Sequence, residues 1–175
     1  PAFFSEWFYN RINEGFYLVR NPMNAHQISK VNIKPDVVDC IVFWTKNAKP
    51  MLARLDELEA YKYYFQYTIT GYGKEMEQHV PDLSELIGIF QQLSEKIGWD
   101  RVIWRYDPII FSDKYTTEYH LEGFKEIAGQ LKGFTKKCVI SFVDIYKSKN
   151  LSNMKDIHYK ELSDDEVNHF AKSLA

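Results

Sequence analysis

The sequence is poor in cysteine: Cys40 and Cys138 are the only two in 175 residues. Two isolated cysteines make no disulfide framework and no CxxC pair. Both fall in apolar runs that read as strands, so buried thiols in a reducing, cytoplasmic compartment are expected. No apolar run approaches the length of a membrane span, and no signal-peptide pattern opens the chain. Net charge is also small: 22 Lys and Arg against 24 Asp and Glu give −2. That removes the electrostatic footprint of a general nucleic-acid binder and leaves room only for a local basic patch. The histidines are His26, His79, His120, His158 and His169. They show no HxxxH spacing and none falls at a strand end, so a metal site made by this chain alone is not expected. The absence of a GxSxG elbow argues against a serine triad. The absence of a glycine-rich fingerprint after the first strands argues against a Rossmann domain. The first residue is Pro1 rather than Met, as expected for a piece of a longer gene product.

What the sequence does hold is aromatic side chains and a repeated strand–helix rhythm. Aromatic residues make up 16%, dominated by 12 Tyr and 12 Phe. Most lie in periodic segments, which predicts a thick aromatic core; the alternative is a stacking surface for sugars or bases. Residues 3–13 place Phe4, Trp7 or Phe8, and Ile12 on one helical face, with Gly15 as the stop. Residues 16–20 and 28–33 read as a hairpin or edge ribbon around Asn21-Pro22. The run VVDCIVFWT over 37–45 reads as a parallel strand buried on both faces. A helix opens at Asn47–Pro50. Residues 63–70 form the next strand, and Asp82 with Glu85 suggests a capping box for the helix that runs to Gly98. Residues 101–106 form a further strand, stopped by Asp107-Pro108, then a helix from about Thr117 to Gly133. Residues 137–143 form the last strand, and Ser163 with Glu166 caps a final helix. Such alternation demands a mainly parallel sheet with right-handed crossovers. The predicted fold is α/β, a partial or complete (β/α) TIM-like barrel in one domain over residues 1–175. The count of about five or six strands is fewer than the eight of a closed barrel of this kind.

In parallel α/β folds, ligands bind beyond the carboxyl ends of the strands, and here those ends are polar. Lys46 can act as a Schiff-base amine or as a point charge for phosphate or carboxylate; alternatively it is a solvated lysine at a helix start. Arg105 and Asp107 share a strand face, where they can clamp an anion or hold a substrate hydroxyl. They can equally form a structural ion pair, with Asp107 bonding its own turn. Lys46, Arg105 and Asp107 are thus the candidate catalytic groups. Thr45, Asn47, Gln66, Thr68, Thr70, Ser141 and Asp144 are the candidate substrate contacts. For Gln66 and Thr68 the alternative is a hydrogen-bonded layer filling a barrel, and for Asp144 a cap on the following segment. Trp44 and Trp104 read as core packing, and Glu6 and Trp7 as structural or rim residues.

The stretches SEWF (5–8), IVFWTKN (41–47), YYFQYTITGY (63–72), RVIWRYDPI (101–109) and CVISFVDIY (138–146) resemble a bacterial family, domain of unknown function 1848, over essentially the whole chain. The resemblance implies complete members longer at both ends. Upstream it implies a strand reading like Ser-Arg-Arg-Thr-Asp, and downstream a cysteine-rich tail with a CxxCxYC-like cluster. Such spacing implies an iron–sulfur centre. Fold and tail together resemble spore photoproduct lyase and other radical S-adenosylmethionine enzymes, which are also (β/α) barrels. None of those tail cysteines is in this sequence, so the implied iron–sulfur cluster and S-adenosylmethionine belong to the complete protein and no cofactor is expected in this chain.

Three readings follow. The first is a barrel enzyme whose complete form carries that cluster and acts on a small-molecule or nucleic-acid-derived substrate. The second is a cluster-free lyase or hydrolase using Lys46 or Asp107 directly. The third is a non-catalytic module binding nucleic acid or carbohydrate through its aromatics. No membrane partner is expected. A missing outer strand would leave a sheet edge open, which predicts self-association through that edge.

Overall fold

Segments that alternate aromatic or β-branched residues with polar ones pair in parallel, and the helices between them cover one face of the resulting sheet. The computed structural model describes residues 1–143 and 159–174. Its strands are β1 (Phe16–Asn21), β2 (Asn24–Asn32), β3 (Ile41–Thr45), β4 (Tyr63–Thr68), β5 (Val102–Ile109) and β6 (Cys138–Phe142). Its helices are α1 (Ser5–Glu14), α2 (Leu83–Ile97), α3 (Thr117–Leu131) and α4 (Asp164–Ser173), with a 3₁₀ segment at Lys49–Leu58. β1 and β2 form the expected antiparallel hairpin. β3, β4, β5 and β6 form one parallel sheet in chain order, without reversal. Among the described residues β3 and β6 are its edges, and the strands do not close on themselves.

The core lies on the helix side. Tyr63, Phe65 and Tyr67 of β4 and Val102, Trp104 and Tyr106 of β5 are buried there with Leu86, Phe90 and Leu93 of α2. Burying side chains such as Phe65 and Phe90 stabilises the fold by roughly 1.5–3 kcal/mol each. Trp104 stacks on Phe124 of α3 at 4.7 Å between centroids. Its indole N–H donates to the Ile69 carbonyl at 3.0 Å, so the ring is buried with its polar edge satisfied.

The opposite face departs from the expectation of burial on both sides. Among the described residues nothing covers it, and Tyr64, Gln66, Ile103, Arg105, Val139 and Ser141 are only partly buried. Trp44, read as core, is 59% exposed on this face. It stands on an edge strand, where only one neighbouring strand shields it.

Four local expectations are also corrected. β3 starts at Ile41, so Cys40 sits in the connection just before it and is exposed rather than strand-buried. β5 does not stop at Asp107 but passes through the cis Asp107-Pro108 peptide to Ile109. The β5–β6 pairing shifts register between Tyr106 and Ile109, which accommodates the donor that proline lacks. Asp82 makes no side-chain cap; its carboxylate pairs with Lys74 at 2.9 Å, and Glu85 pairs with Lys49 at 2.8 Å. On α1 the buried residues are Ser5, Tyr9 and Ile12, while Phe4 and Trp7 face outward. The Ser163–Glu166 capping box of α4 forms as expected, and Gly15 ends α1 in the left-handed region at φ 76°. No helix of the described residues is long and apolar enough to cross a membrane.

Candidate functional site

Residues two apart on a strand share a face, and the uncovered face carries its polar groups towards the carboxyl ends of the strands. The Arg105 guanidinium grips Asp107 side-on. Its Nε donates to Oδ1 at 2.9 Å, and an Nη2 hydrogen bond to Oδ2 completes the pair. Nη1 donates to the Gln66 Oε1 at 2.5 Å. Ser141 on β6 donates to the Asp107 Oδ2 at 3.4 Å. The guanidinium also lies over the Trp44 ring, 4.3 Å from its centroid. Four adjacent strands therefore each contribute to one constellation: Trp44 from β3, Gln66 from β4, Arg105 and Asp107 from β5, Ser141 from β6. Arg105 and Asp107 are each 12% exposed. Of the five guanidinium N–H groups, three are engaged in these bonds, leaving one on each terminal nitrogen. Thr68 is buried beside this group, aligned with Arg105 across the β4–β5 pairing.

Lys46 does not join that constellation. It belongs to a second one at the rim. Its Nζ donates to the Glu77 Oε1 at 2.7 Å, and Thr70 donates to the same oxygen at 2.9 Å. Lys46 is 36% exposed and Glu77 14%. Thr45 and Asn47 are spent on the turn: the Asn47 N–H donates to the Thr45 hydroxyl, the hydroxyl donates back to the Asn47 carbonyl, and the Lys49 N–H donates to the Asn47 Oδ1. Asp144 and His158 lie outside the described residues.

Glu77 was missed in the sequence. The signal was available in kind: it lies in the loop that follows the carboxyl end of β4, where sites of parallel sheets gather. The same loop holds Glu75, whose partners are Lys114 and the Tyr115 hydroxyl, the latter at 2.5 Å. Those partners, Lys114 first, hold its carboxyl down to about 2. His120 was also passed over, because α3 carries it. In the fold it reaches the end of β5, with Nδ1 2.9 Å from the Tyr106 hydroxyl and Nε2 2.9 Å from the Ile110 carbonyl. A carbonyl only accepts, so Nε2 bears the proton and Nδ1 accepts from Tyr106. The histidine is a fully satisfied core group.

Among the described residues no three His, Cys, Asp or Glu side chains converge so as to hold a metal ion. Cys40 precedes β3 and Cys138 opens β6, at opposite edges of the sheet with two strands between them. The described residues therefore do not fit an iron–sulfur cluster of their own. Burial pushes the Cys138 thiol up to about 12, whereas Cys40 is exposed. Iodoacetamide in mildly alkaline buffer is thus expected to alkylate Cys40 alone, since the thiolate is the nucleophile. Intact mass should show a single adduct on the native chain and two after denaturation. Equal native labelling of both thiols would contradict this placement.

Comparison with curated proteins and with solved structures finds no match to this chain. A family model does match: the one described as domain of unknown function (DUF1848) aligns with residues 1–175. The chain therefore belongs to the DUF1848 family.

Proposed function

We propose that the uncovered sheet face is the substrate face of a (β/α)-barrel-type enzyme acting in the cytoplasm on a small-molecule or nucleic-acid-derived substrate. One observation carries this reading: Gln66, Arg105, Asp107 and Ser141 converge from three adjacent parallel strands towards their carboxyl ends. Polar groups placed this way cost free energy unless they find partners or a ligand. Among the described residues Arg105 retains unused donors after its bonds to Asp107 and Gln66 are made. Strands laid down in chain order, without the reversal of a doubly wound sheet, support the barrel form. The edge of β3, unpaired among the described residues, supports pairing with a further strand, from this protein or from a second copy.

In this reading Arg105 orients the substrate, held rigid by Asp107 and Trp44. Asp107 is the proton acceptor, and Lys46 is the mobile cation at the rim once its pair with Glu77 opens. The cofactor part of the proposal is an iron–sulfur cluster with S-adenosylmethionine in the complete protein, which would supply radical chemistry. It takes no ligand from the described residues and has its own test. The complete gene product, purified without oxygen and supplied with iron and sulfide, turns brown with stoichiometric iron; if it stays colourless, the cluster-free lyase or hydrolase takes its place.

The substrate face is tested by a screen of small polar metabolites against the isotope-labelled chain. Binders are expected to shift the Trp44 and Gln66 side-chain resonances. If every binder maps elsewhere, for instance to the apolar groove of Phe4, Phe8, Phe43 and Met51, the reading falls.

A further inference from the structure

We infer that this face takes an uncharged planar ring bearing a carbonyl beside an N–H, a cyclic amide or ureide of the nucleobase kind, rather than a phosphate or carboxylate. The inference rests on the reading of the face as a binding site and names what it binds.

Charge is the first argument. An exposed arginine invites an anion, but Arg105 is already matched by Asp107 in a side-on pair. Lys46 at the rim is likewise matched by Glu77. Among the described residues of the two constellations, two cations and two carboxylates sum to zero. An anion arriving beside them gains no net attraction, because each cation is already matched, and it meets the Asp107 and Glu77 carboxylates as like charges. A neutral ligand meets no such penalty.

The hydrogen-bond inventory is the second argument. Among the described residues Arg105 keeps one N–H on each terminal nitrogen, and the Gln66 amide accepts from Arg105 while its NH₂ donates to no partner. Among the described residues Asp107 Oδ1 accepts a single bond and keeps a lone pair. Free donors thus stand beside a free acceptor within one strand spacing. A carbonyl with an adjacent ring N–H presents the complementary pair.

Shape is the third. Trp44 is 59% exposed, and the Arg105 guanidinium lies 4.3 Å from its ring centroid. The remaining indole surface offers a stacking platform that accepts any flat ring, because every such ring has a π-face. Tyr64 and Ile103, partly exposed on the same face, extend its apolar floor.

The experiment titrates the ¹⁵N-labelled full chain with uracil, with 1,3-dimethyluracil, and with inorganic phosphate and acetate. The reporter is the Trp44 indole N–H, assigned by its loss in Trp44→Phe, a change at an exposed position. Uracil is expected to shift this resonance saturably, and phosphate and acetate to leave it in place. Dimethyluracil, which keeps the carbonyls and the ring but has no N–H, is expected to bind about tenfold more weakly, as is uracil to Gln66→Ala. If Gln66→Ala does not fold, the two uracils compared on the unmodified chain carry the test. Saturable binding of phosphate or acetate without uracil would overturn the ligand class while leaving the face a binding site. Silence from all four probes would overturn the class too; the metabolite screen then decides separately whether the face binds anything.

Discussion

Replacing Asp107 with alanine is expected to destabilise the chain by about 2–4 kcal/mol, approaching the cost of leaving one member of a buried ion pair alone because this pair is largely shielded. Arg105 and Asp107 are each 12% exposed, so the orphaned guanidinium would be only partly rehydrated. The same substitution strips Ser141 of its acceptor and leaves Gln66 and the Trp44 ring to hold the arginine. Arg105→Ala is expected to be similarly damaging, because it leaves the carboxylate uncompensated. The double change Arg105→Met with Asp107→Leu is expected to cost less than either single change. Apolar groups of like volume replace a pair whose attraction does little more than offset its desolvation. Urea unfolding of the three variants gives the comparison directly. A loss under about 1 kcal/mol for Asp107→Ala would mark a solvated surface pair and remove the organised centre on which the substrate face depends. A stable double variant that no longer binds any ligand of the parent would separate the pair's role in recognition from its role in folding.

How much of this was legible in the sequence depends on which forces decide each feature. The parallel sheet was, because alternation of apolar segments with helical spacing survives in one dimension. The strand-end residues were too: Gln66, Arg105, Asp107 and Ser141 were picked out by position, and the fold brings all four together. What was hidden is pairing across loops. Lys46 and Glu77 are thirty-one residues apart, and no local pattern announces that a glutamate in the β4–α2 loop folds back to the end of β3. The burial of the sheet's second face was misjudged for a related reason. The run 37–45 is apolar enough for a strand covered on both sides, yet Trp44 is on an edge, and edge position is a property of the whole sheet. Asp107-Pro108 misled at shorter range. Proline ordinarily ends a strand, but here the register shift with β6 takes up the missing donor and the strand continues to Ile109. His120 was invisible because its partners, Tyr106 on β5 and the Ile110 carbonyl just after it, precede the helix that carries it.

That histidine should also govern how the fold responds to acid. His120 is fully buried, and its ring packs against those of Tyr72, Tyr106, Phe111 and Tyr119. Burial lowers its pKa from the ordinary 6.5, against a smaller opposing effect of the Ile110 carbonyl. The sign follows from linkage. Below 6.5 the unfolded chain takes up a proton at this position while the folded chain resists, so the unfolded state binds more protons and stability falls as pH falls. Above 6.5 both states hold the neutral ring and nothing is lost. The decline is expected to begin as pH drops below about 6.5 and to approach about 1.4 kcal/mol per pH unit until the folded pKa is passed. Protonation would also convert Nδ1 from acceptor to donor, setting it against the Tyr106 hydroxyl, which could rotate its hydrogen away only by giving up its own acceptor. His120→Gln removes the titration and retains an amide able to donate to the Ile110 carbonyl. It is expected to cost about 1–3 kcal/mol at neutral pH, for the hydroxyl left without its partner, and to flatten the acid slope. Unfolding free energies of both proteins across this range yield a difference curve in which other titrating groups cancel. A difference that stays constant through pH 6.5 would mean that the ring is hydrated in the folded chain, and that the aromatic cluster at the end of β5 is open to water.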